Sequence, residues 1–368
     1  MAFLDALLGR AFGGAKEQSV LGIDIGSSSL KVVQLRKDKG KAVLETYGEL
    51  ALGPYAGSAI GQAAALSAEQ IAETLRDLLR EAKVTTKSCG VSIPFARSLL
   101  VLVELPYRKD PKEQQTVIEL EARKYIPVPV SEAQIDWFVV PSAPKGPAAE
   151  AEREPKKIEV FLIAVHNDEL ALLQKAVTSA GLDPGFFEIE IFSTIRAVVE
   201  EPVSPVMVLD IGAATTKTYV VERGVVALSH SISTGSQNIT RAIASSENLS
   251  LARAEVLKKE AGVGLTSSGG TTGSPEIVFS RIFASAHRVL VQYEAAHHMP
   301  VGKVVLTGGG GVTKELGAYA KKVFAIDVAV ADPFSKCEAP AFMRPVLQEI
   351  GPEFAVAVGL ALRKLAEL

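Results

Sequence analysis

The sequence has little of what marks disulfide-stabilised, zinc-binding or nucleic-acid-binding proteins. Two cysteines, Cys89 and Cys337, lie far apart in 368 residues, outside any Cys-x-x-Cys or Cys/His spacing. Neither a disulfide framework nor a zinc site is expected, and a reducing compartment fits best. The five histidines show no metal-ligand or triad spacing. A net charge of -3 without a long basic run argues against nucleic acid as a partner.

Long apolar runs are also scarce. No segment approaches the roughly 18 consecutive apolar residues that span a bilayer, and the start lacks the basic region and long apolar core of a secretory signal. Apolar residues near the start recur at helical spacing: Phe3, Leu4, Leu7, Leu8 and Phe12. They predict a short helix or tail within residues 1–18, whose contact could be a membrane, a partner or the body of its own chain.

What the sequence does contain is an internal duplication. A chain of 368 residues is longer than a single core usually supports, so two lobes or several subdomains are expected. Apolar runs at 20–25 and 30–35 flank a Gly-Ser turn and predict a hairpin. The same theme recurs at 206–211 and 217–221. Between the two copies, a capping-box spacing at Ser67 predicts a helix of about 67–82.

The turn of the first hairpin reads Asp-Ile-Gly-Ser-Ser-Ser-Leu-Lys over residues 24–31. Gly26 lets the backbone approach a phosphate, Lys31 supplies positive charge, and Asp24 can hold a hydrated Mg²⁺. Further phosphate contacts are predicted from the hydroxyls and amides of Ser27, Ser28 and Ser29. Taken alone, the motif is equally compatible with a polar β-turn.

The second hairpin repeats this turn, as Asp-Ile-Gly-Ala-Ala-Thr-Thr-Lys over residues 210–217. Its predicted phosphate contacts are Asp210, Gly212, Ala213, Thr215, Thr216 and Lys217. A later strand-to-helix turn, at 307–311, contributes Gly308, Gly309 and Gly310, where absent side chains let a nucleoside lie against the backbone. Two facing hairpins followed by such a turn predict a clamp for a nucleoside triphosphate and its metal.

This ordered set resembles the superfamily of actin, the DnaK-type chaperones and the sugar kinases. The resemblance implies an α/β fold, the actin-like (ribonuclease H-like) two-lobed ATPase fold with duplicated β-sheet cores. It also implies ATP and Mg²⁺ as cofactors, with Asp24 and Asp210 holding the metal through its water shell. Residues 254–262 are similar to a helix laid across the adenosine, which places Glu255 and Lys258 near the ribose or base. A solvated amphipathic helix is the alternative interpretation of that segment.

An α+β pattern at 95–184 predicts an inserted subdomain of the kind found in the FtsA and PilM branch. The amino-acid sequences of segments 22–35, 121–127 and 354–362 are similar to those of the PilM family of type IV pilus assembly. Two departures concern the surface beside the cleft: Ser236-Gln237 follows Gly235 where paired glycines are usual, and His230 ends a stretch where arginine is common.

The resemblance also implies subdomain boundaries. Subdomain 1A comprises 19–94, 185–201 and 351–368, and the insert 95–184 is subdomain 1C. Subdomain 2A comprises 202–243 and 301–350, and subdomain 2B comprises 244–300.

The implied function is that of a cytoplasmic ATP-binding scaffold at the inner face of the inner membrane. Its implied partner is the N-terminal tail of a PilN-like membrane protein, docked in a nucleotide-dependent way on the lobe that carries the insert. Pilus motor ATPases, a PilC-like platform protein and a second copy of the chain remain open as partners. An FtsA-like division protein is the alternative, although 360–368 lack the expected basic amphipathic tail. A small-molecule kinase would need a further catalytic aspartate, for which the sequence offers no candidate.

Hydrolysis is left open at this level. In the superfamily a polar group on the helix that links the lobes positions the attacking water, and Glu190 occupies that helix. Glu190 and Asp210 are therefore the candidate catalytic residues. A carboxylate that stabilises the helix N-terminus is the alternative role of Glu190, and Glu188 is expected to face another side.

Overall fold

The computed structural model describes residues 19–126, 128–140, 157–200, 204–264 and 275–368. The predicted N-terminal helix within 1–18 lies outside them. These residues form two compact units, a smaller one of residues 93–174 and a larger one made of the remaining described residues. Each unit has a hydrophobic core of its own.

The first sheet of the larger unit has the strand order β3-β2-β1-β4-β8. Its strands are β1 (Ser19–Ile25), β2 (Ser29–Asp38), β3 (Lys41–Ala51), β4 (Ser88–Ile93) and β8 (Asp183–Ile189). The first three form an antiparallel meander, and β4 pairs parallel with β1. Strand β1 is buried on both faces, as its nearly continuous apolar sequence predicts.

The second sheet repeats this plan with the order β11-β10-β9-β12-β13. Its strands are β9 (Val206–Ile211), β10 (Thr216–Glu222), β11 (Val225–Ile232), β12 (Lys303–Thr307) and β13 (Asp327–Val330). Again three antiparallel strands are followed by one that pairs parallel with the first. The predicted duplication of the β-sheet core is confirmed.

Helices cover both sheets. They are α1 (Ala68–Glu81), α4 (Glu190–Val198), α5 (Ser236–Ser246), α6 (Leu251–Ala261), α7 (Pro275–His297), α8 (Leu316–Phe324), α9 (Arg344–Ile350) and α10 (Ala355–Ala366). Helix α1 begins with the predicted capping box: Ser67 Oγ accepts from the Gln70 amide at 3.3 Å, and Gln70 Oε1 accepts from the Ser67 amide at 2.9 Å. The sequence placed this helix correctly because its start is encoded locally.

The smaller unit contains a three-stranded antiparallel sheet with the order β5-β7-β6. Its strands are β5 (Ser98–Pro106), β6 (Ala133–Val139) and β7 (Lys157–His166), and its helices are α2 (Pro111–Tyr125) and the first part of α3 (Asn167–Ser179). The core packs α2 against the sheet through Ile118, Ala122 and Val160. This unit combines helices with an antiparallel sheet, which is the α+β character predicted for the insert.

One helical stretch in the described part of the chain, Ala341–Ala366, is long and apolar enough to cross a membrane by length and composition. Charged residues interrupt this stretch at Arg344, Glu349 and Glu353, so it contains no run of about 18 consecutive apolar residues. The most apolar part of this stretch is 61% buried inside the protein. Helix α10 packs on β1 and α4. That is the pattern of a core helix.

Candidate nucleotide site

The first predicted phosphate loop is a tight turn between β1 and β2. The Gly26 amide donates to the Ser29 carbonyl at 3.1 Å. Lys31 Nζ donates to Ser29 Oγ at 2.6 Å and lies 3.1 Å from Glu49 Oε1. Ser27 is exposed, Ser28 is half-buried and Ser29 is buried. The loop therefore exposes its first serine and keeps its lysine in contact with a carboxylate.

The second loop has the same turn, in which the Gly212 amide donates to the Thr215 carbonyl at 3.0 Å. Lys217 Nζ lies 2.8 Å from Asp210 Oδ2 and 2.6 Å from Glu190 Oε2. Burial alone would lower the pKa of Lys217, but the charges of Asp210 and Glu190 raise it above its ordinary value. The structure thus joins both candidate catalytic carboxylates to the lysine of the second loop.

Asp24 connects the two loops electrostatically. Ser92 Oγ donates to Asp24 Oδ1 at 3.1 Å, which fixes the carboxylate at the end of β1. Burial raises the pKa of Asp24 to about 6, partly opposed by the charge of Lys31, and Glu190 and Lys217 also contribute. Groups from both hairpins and from α4 therefore form one buried charge cluster.

The glycine-rich turn after β12 lies against the second loop. The Gly310 amide donates to the Ile211 carbonyl at 2.8 Å. Gly308 has a φ of +80°, and a Cβ at that position would lie 2.3 Å from Asp210 Oδ1. Gly309 is exposed. The missing side chain at Gly308 is what lets the turn approach the carboxylate of Asp210.

Replacing Gly308 by alanine is expected to destabilise the protein by about 2–4 kcal/mol, the sum of left-handed backbone strain and steric overlap. The matched control is Gly309→Ala, because a Cβ there meets nothing closer than Glu353 Cδ at 4.0 Å. This control should change the free energy of unfolding by no more than about 0.5 kcal/mol. Urea unfolding of both variants checks the difference, and equal losses would contradict the described packing.

Two carboxylates of the cluster were not predicted. Glu49, on β3, contacts Lys31, and Glu353 lies just before α10. Burial, joined by the charge of Glu49, raises the pKa of Glu353 to about 7. Although burial acts in the opposite direction, Lys31 holds the pKa of Glu49 below its ordinary value. No local sequence motif indicates that either residue belongs to the cluster, because only the fold brings the two together.

Glu255 and Lys258 form a second buried cluster on α6. Lys258 Nζ lies 2.7 Å from Glu255 Oε2, and both groups hydrogen-bond to Thr240 Oγ1, at 3.0 Å and 2.6 Å respectively. Burial lowers the pKa of Lys258, opposed by Glu255. The alternative of a solvated helix face does not hold for these two residues, because each is only 7% exposed.

Some groups of the second loop that were predicted to contact phosphate form hydrogen bonds within the protein instead. The Thr216 hydroxyl is fully buried and donates to the Thr234 carbonyl at 2.8 Å. The Ala213 carbonyl accepts from the Gln237 amide at 3.0 Å, and the Gly212 carbonyl accepts from the Ser236 amide at 2.8 Å. The second loop therefore supports the N-terminus of α5, the region in which the sequence departs from the family pattern.

Within the described residues, no group of three or more His, Cys, Asp or Glu side chains could hold a metal ion. Mg²⁺ commonly uses only one or two carboxylates and takes its other ligands from water and phosphate. Asp24 and Asp210, one at the end of each hairpin's first strand, fit that requirement.

Comparison with solved structures agrees with the duplicated fold. MreB5 of Spiroplasma citri, solved bound to ADP, matches with a TM-score of 0.51 and 12% identity, covering 95% of this chain and 97% of that one. The ethanolamine utilization protein EutJ of Carboxydothermus hydrogenoformans matches with a TM-score of 0.53 and 14% identity, covering 95% and 90%. The protein therefore has the actin-like fold, as the sequence predicted.

A model of the family described as type IV pilus assembly protein PilM matches residues 22–365. The chain belongs to that family. A solved structure titled "PilM-PilN type IV pilus biogenesis complex" matches with a TM-score of 0.78 and 25% identity, covering 94% of this chain and 98% of that one.

Proposed function

We propose that this chain is a cytoplasmic, ATP-binding scaffold of type IV pilus assembly, positioned at the inner face of the inner membrane by the tail of a PilN-like membrane protein. The observation that carries the proposal is the likeness to the PilM-PilN complex over 94% of the chain at 25% identity. The family match gives no support to the FtsA-like alternative.

ATP is proposed as the nucleotide because the two loops and the glycine turn surround one charge cluster. Lys31 and Lys217 supply positive charge for phosphate, and Asp24 and Asp210 would hold Mg²⁺ through water. Glu255 and Lys258 would face the ribose or base. The ADP complex of MreB5, which shares the fold, supports nucleotide binding as a property of such a cleft.

Hydrolysis is proposed to be slow. Glu190 and Asp210 would position the attacking water and the metal, but both carboxylates contact Lys217 at 2.6 Å and 2.8 Å. A carboxylate engaged by a buried ammonium is less available to orient water than a free one. The arrangement therefore favours nucleotide binding as a switch over rapid turnover.

The tail is proposed to dock on the insert by adding to a strand edge. In the three-stranded sheet β7 is central, so β5 and β6 are the edges. An extended peptide can pair with such an edge through main-chain hydrogen bonds, with specificity from pockets for alternate side chains. Motor ATPases, a PilC-like protein and a second copy of the chain are candidates for surfaces outside this edge.

The test is fluorescence anisotropy of a labelled peptide with the N-terminal sequence of a PilN-like protein, titrated with the full-length chain and Mg-ATP. Saturable binding is expected for this peptide and none for a scrambled peptide of the same composition. Equal binding of both peptides, or of neither, would contradict the proposal.

A further inference from the structure

The connection between β3 and α1 is tied to the first phosphate loop at both ends. The Leu52 amide donates to the Ser28 carbonyl at 2.8 Å, and the Ala64 amide donates to the Ser27 carbonyl at 2.9 Å. We call residues 52–64 the strap. The strap is therefore hydrogen-bonded to the first phosphate loop at both ends.

The end of the strap contacts α5 in the other half of the larger unit. The Ala63 amide donates to Gln237 Oε1 at 3.1 Å, and Arg241 Nε donates to Gln62 Oε1 at 3.2 Å. Since the Gln237 amide in turn donates to the Ala213 carbonyl, the strap connects the first phosphate loop to the helix that rests on the second.

Gly61 brings the strap against the carboxylate of Glu255. Its φ is +82°, and a Cβ at this position would lie 2.7 Å from Glu255 Cδ. Only a residue without a side chain permits this approach. The strap therefore covers the buried cluster of Glu255, Lys258 and Thr240, none of which is more than 7% exposed.

The closed strap also contains an unsatisfied polar group. Gln62 is 5% exposed, and its Nε2 is buried without a hydrogen-bond partner in the described part of the protein. A buried donor without a partner is unfavourable, and opening would return it to water. The closed contact is consequently held less tightly than its hydrogen bonds alone suggest.

We propose that the strap is a gate over the nucleoside end of the site, closed on Glu255 in this structure and lifted when a nucleotide enters. Its two attachments to the first phosphate loop couple the gate to phosphate occupancy. This inference rests on the proposed function, because it takes the cluster of Glu255 and Lys258 as the place where the ribose or base binds.

The test compares Gly61→Ala with Gly57→Ala in the full chain. Both glycines have a positive φ, +82° and +67°, but a Cβ at Gly57 meets nothing within 4 Å. In Gly61→Ala the added methyl group would overlap Glu255 and displace the strap, whose hydrogen bonds are individually weak. Stopped-flow association of a fluorescent ATP analogue with Mg²⁺ should therefore become about tenfold faster. Gly57→Ala shares the left-handed backbone strain but its methyl group enters open space, so its association rate should stay much closer to that of the wild type than the rate of Gly61→Ala does.

A third variant shifts the gate in the other direction. Gln62→Leu removes the unpartnered donor, and Arg241 is exposed, so water can replace its lost acceptor. Association is expected to become slower than in the wild type. Equal association rates for Gly61→Ala and Gly57→Ala, or faster association in Gln62→Leu, would overturn the gate.

Hydrogen exchange of the nucleotide-free chain separates this inference from the proposed function. The Ala63 amide should exchange faster in Gly61→Ala and at the wild-type rate in Gly57→Ala. Equal Ala63 exchange in these two variants would overturn the closed strap. No binding of the analogue by the wild type would instead contradict the proposed function. The Ala63 exchange rates would then still test whether the strap is closed on Glu255.

Discussion

Lys217→Met is expected to lower the free energy of unfolding by about 3–5 kcal/mol, the usual cost of removing one partner from a buried ion pair. Lys217 lies between Asp210 and Glu190, and its side chain is only 10% exposed. Methionine fills a similar volume but leaves two carboxylates facing each other without a cation. Denaturant unfolding at neutral pH measures the loss.

The double variant Lys217→Met with Glu190→Gln should recover a large part of that stability, because one of the two uncompensated charges is removed. The matched control is Lys41→Met, whose ion pair with Glu338 is exposed to solvent. This control should remain close to the wild type in stability. If the two lysine variants lose the same stability, the buried cluster does not exist as described.

Asp24→Asn is expected to have the opposite effect on stability while removing tight Mg-ATP binding. Burial raises the pKa of Asp24 from 3.8 to about 6, so the folded state holds this proton more tightly than the unfolded state does. The stability that this proton contributes is fully present below pH 3.8 and is lost as the pH rises through about 6.

At pH 8 the neutral asparagine should therefore increase the free energy of unfolding by about 1–3 kcal/mol relative to the wild type. The difference should largely disappear near pH 4, where Asp24 of the wild type is mostly protonated. Asparagine keeps an oxygen that can accept from Ser92, but it loses the charge that would order the water shell of Mg²⁺. Thermal unfolding at both pH values and calorimetry with Mg-ATP measure the two effects.

Asp38→Asn, at the other end of the first hairpin, is the control, because the Asp38 side chain is 48% exposed. It should leave both stability and nucleotide binding close to the wild type. Retention of wild-type Mg-ATP affinity in Asp24→Asn would contradict the assigned role of Asp24, and a loss of stability at pH 8 would contradict its environment.

Features encoded over short stretches of chain could be predicted from the sequence. The two glycine turns of the hairpins, the capping box at Ser67 and the change in the order of strands and helices at the insert were predicted from neighbouring residues. Local turn chemistry and hydrophobic periodicity determine such elements almost independently of the rest of the fold.

Features that depend on distant segments could not be predicted. Glu49 contacts Lys31, and Glu353 interacts with Glu49, although the two carboxylates are far apart in the sequence. No spacing in the sequence indicates their contact. Strand β8 was not predicted either, because Pro184 and Gly185 fall within it and both residues are disfavoured in strands. It is the last strand in the order of the first sheet, an edge position where proline is tolerated.

The most direct test of the central claim is the dissociation constant of the PilN-like tail peptide, measured by calorimetry with and without saturating Mg-ATP. The account predicts two different constants, and by linkage the peptide must change the affinity for Mg-ATP by the same factor. Asp24→Asn should bind the peptide as the nucleotide-free wild type does, whether or not Mg-ATP is present. Identical peptide affinities in the presence and absence of bound Mg-ATP would contradict a nucleotide-dependent scaffold.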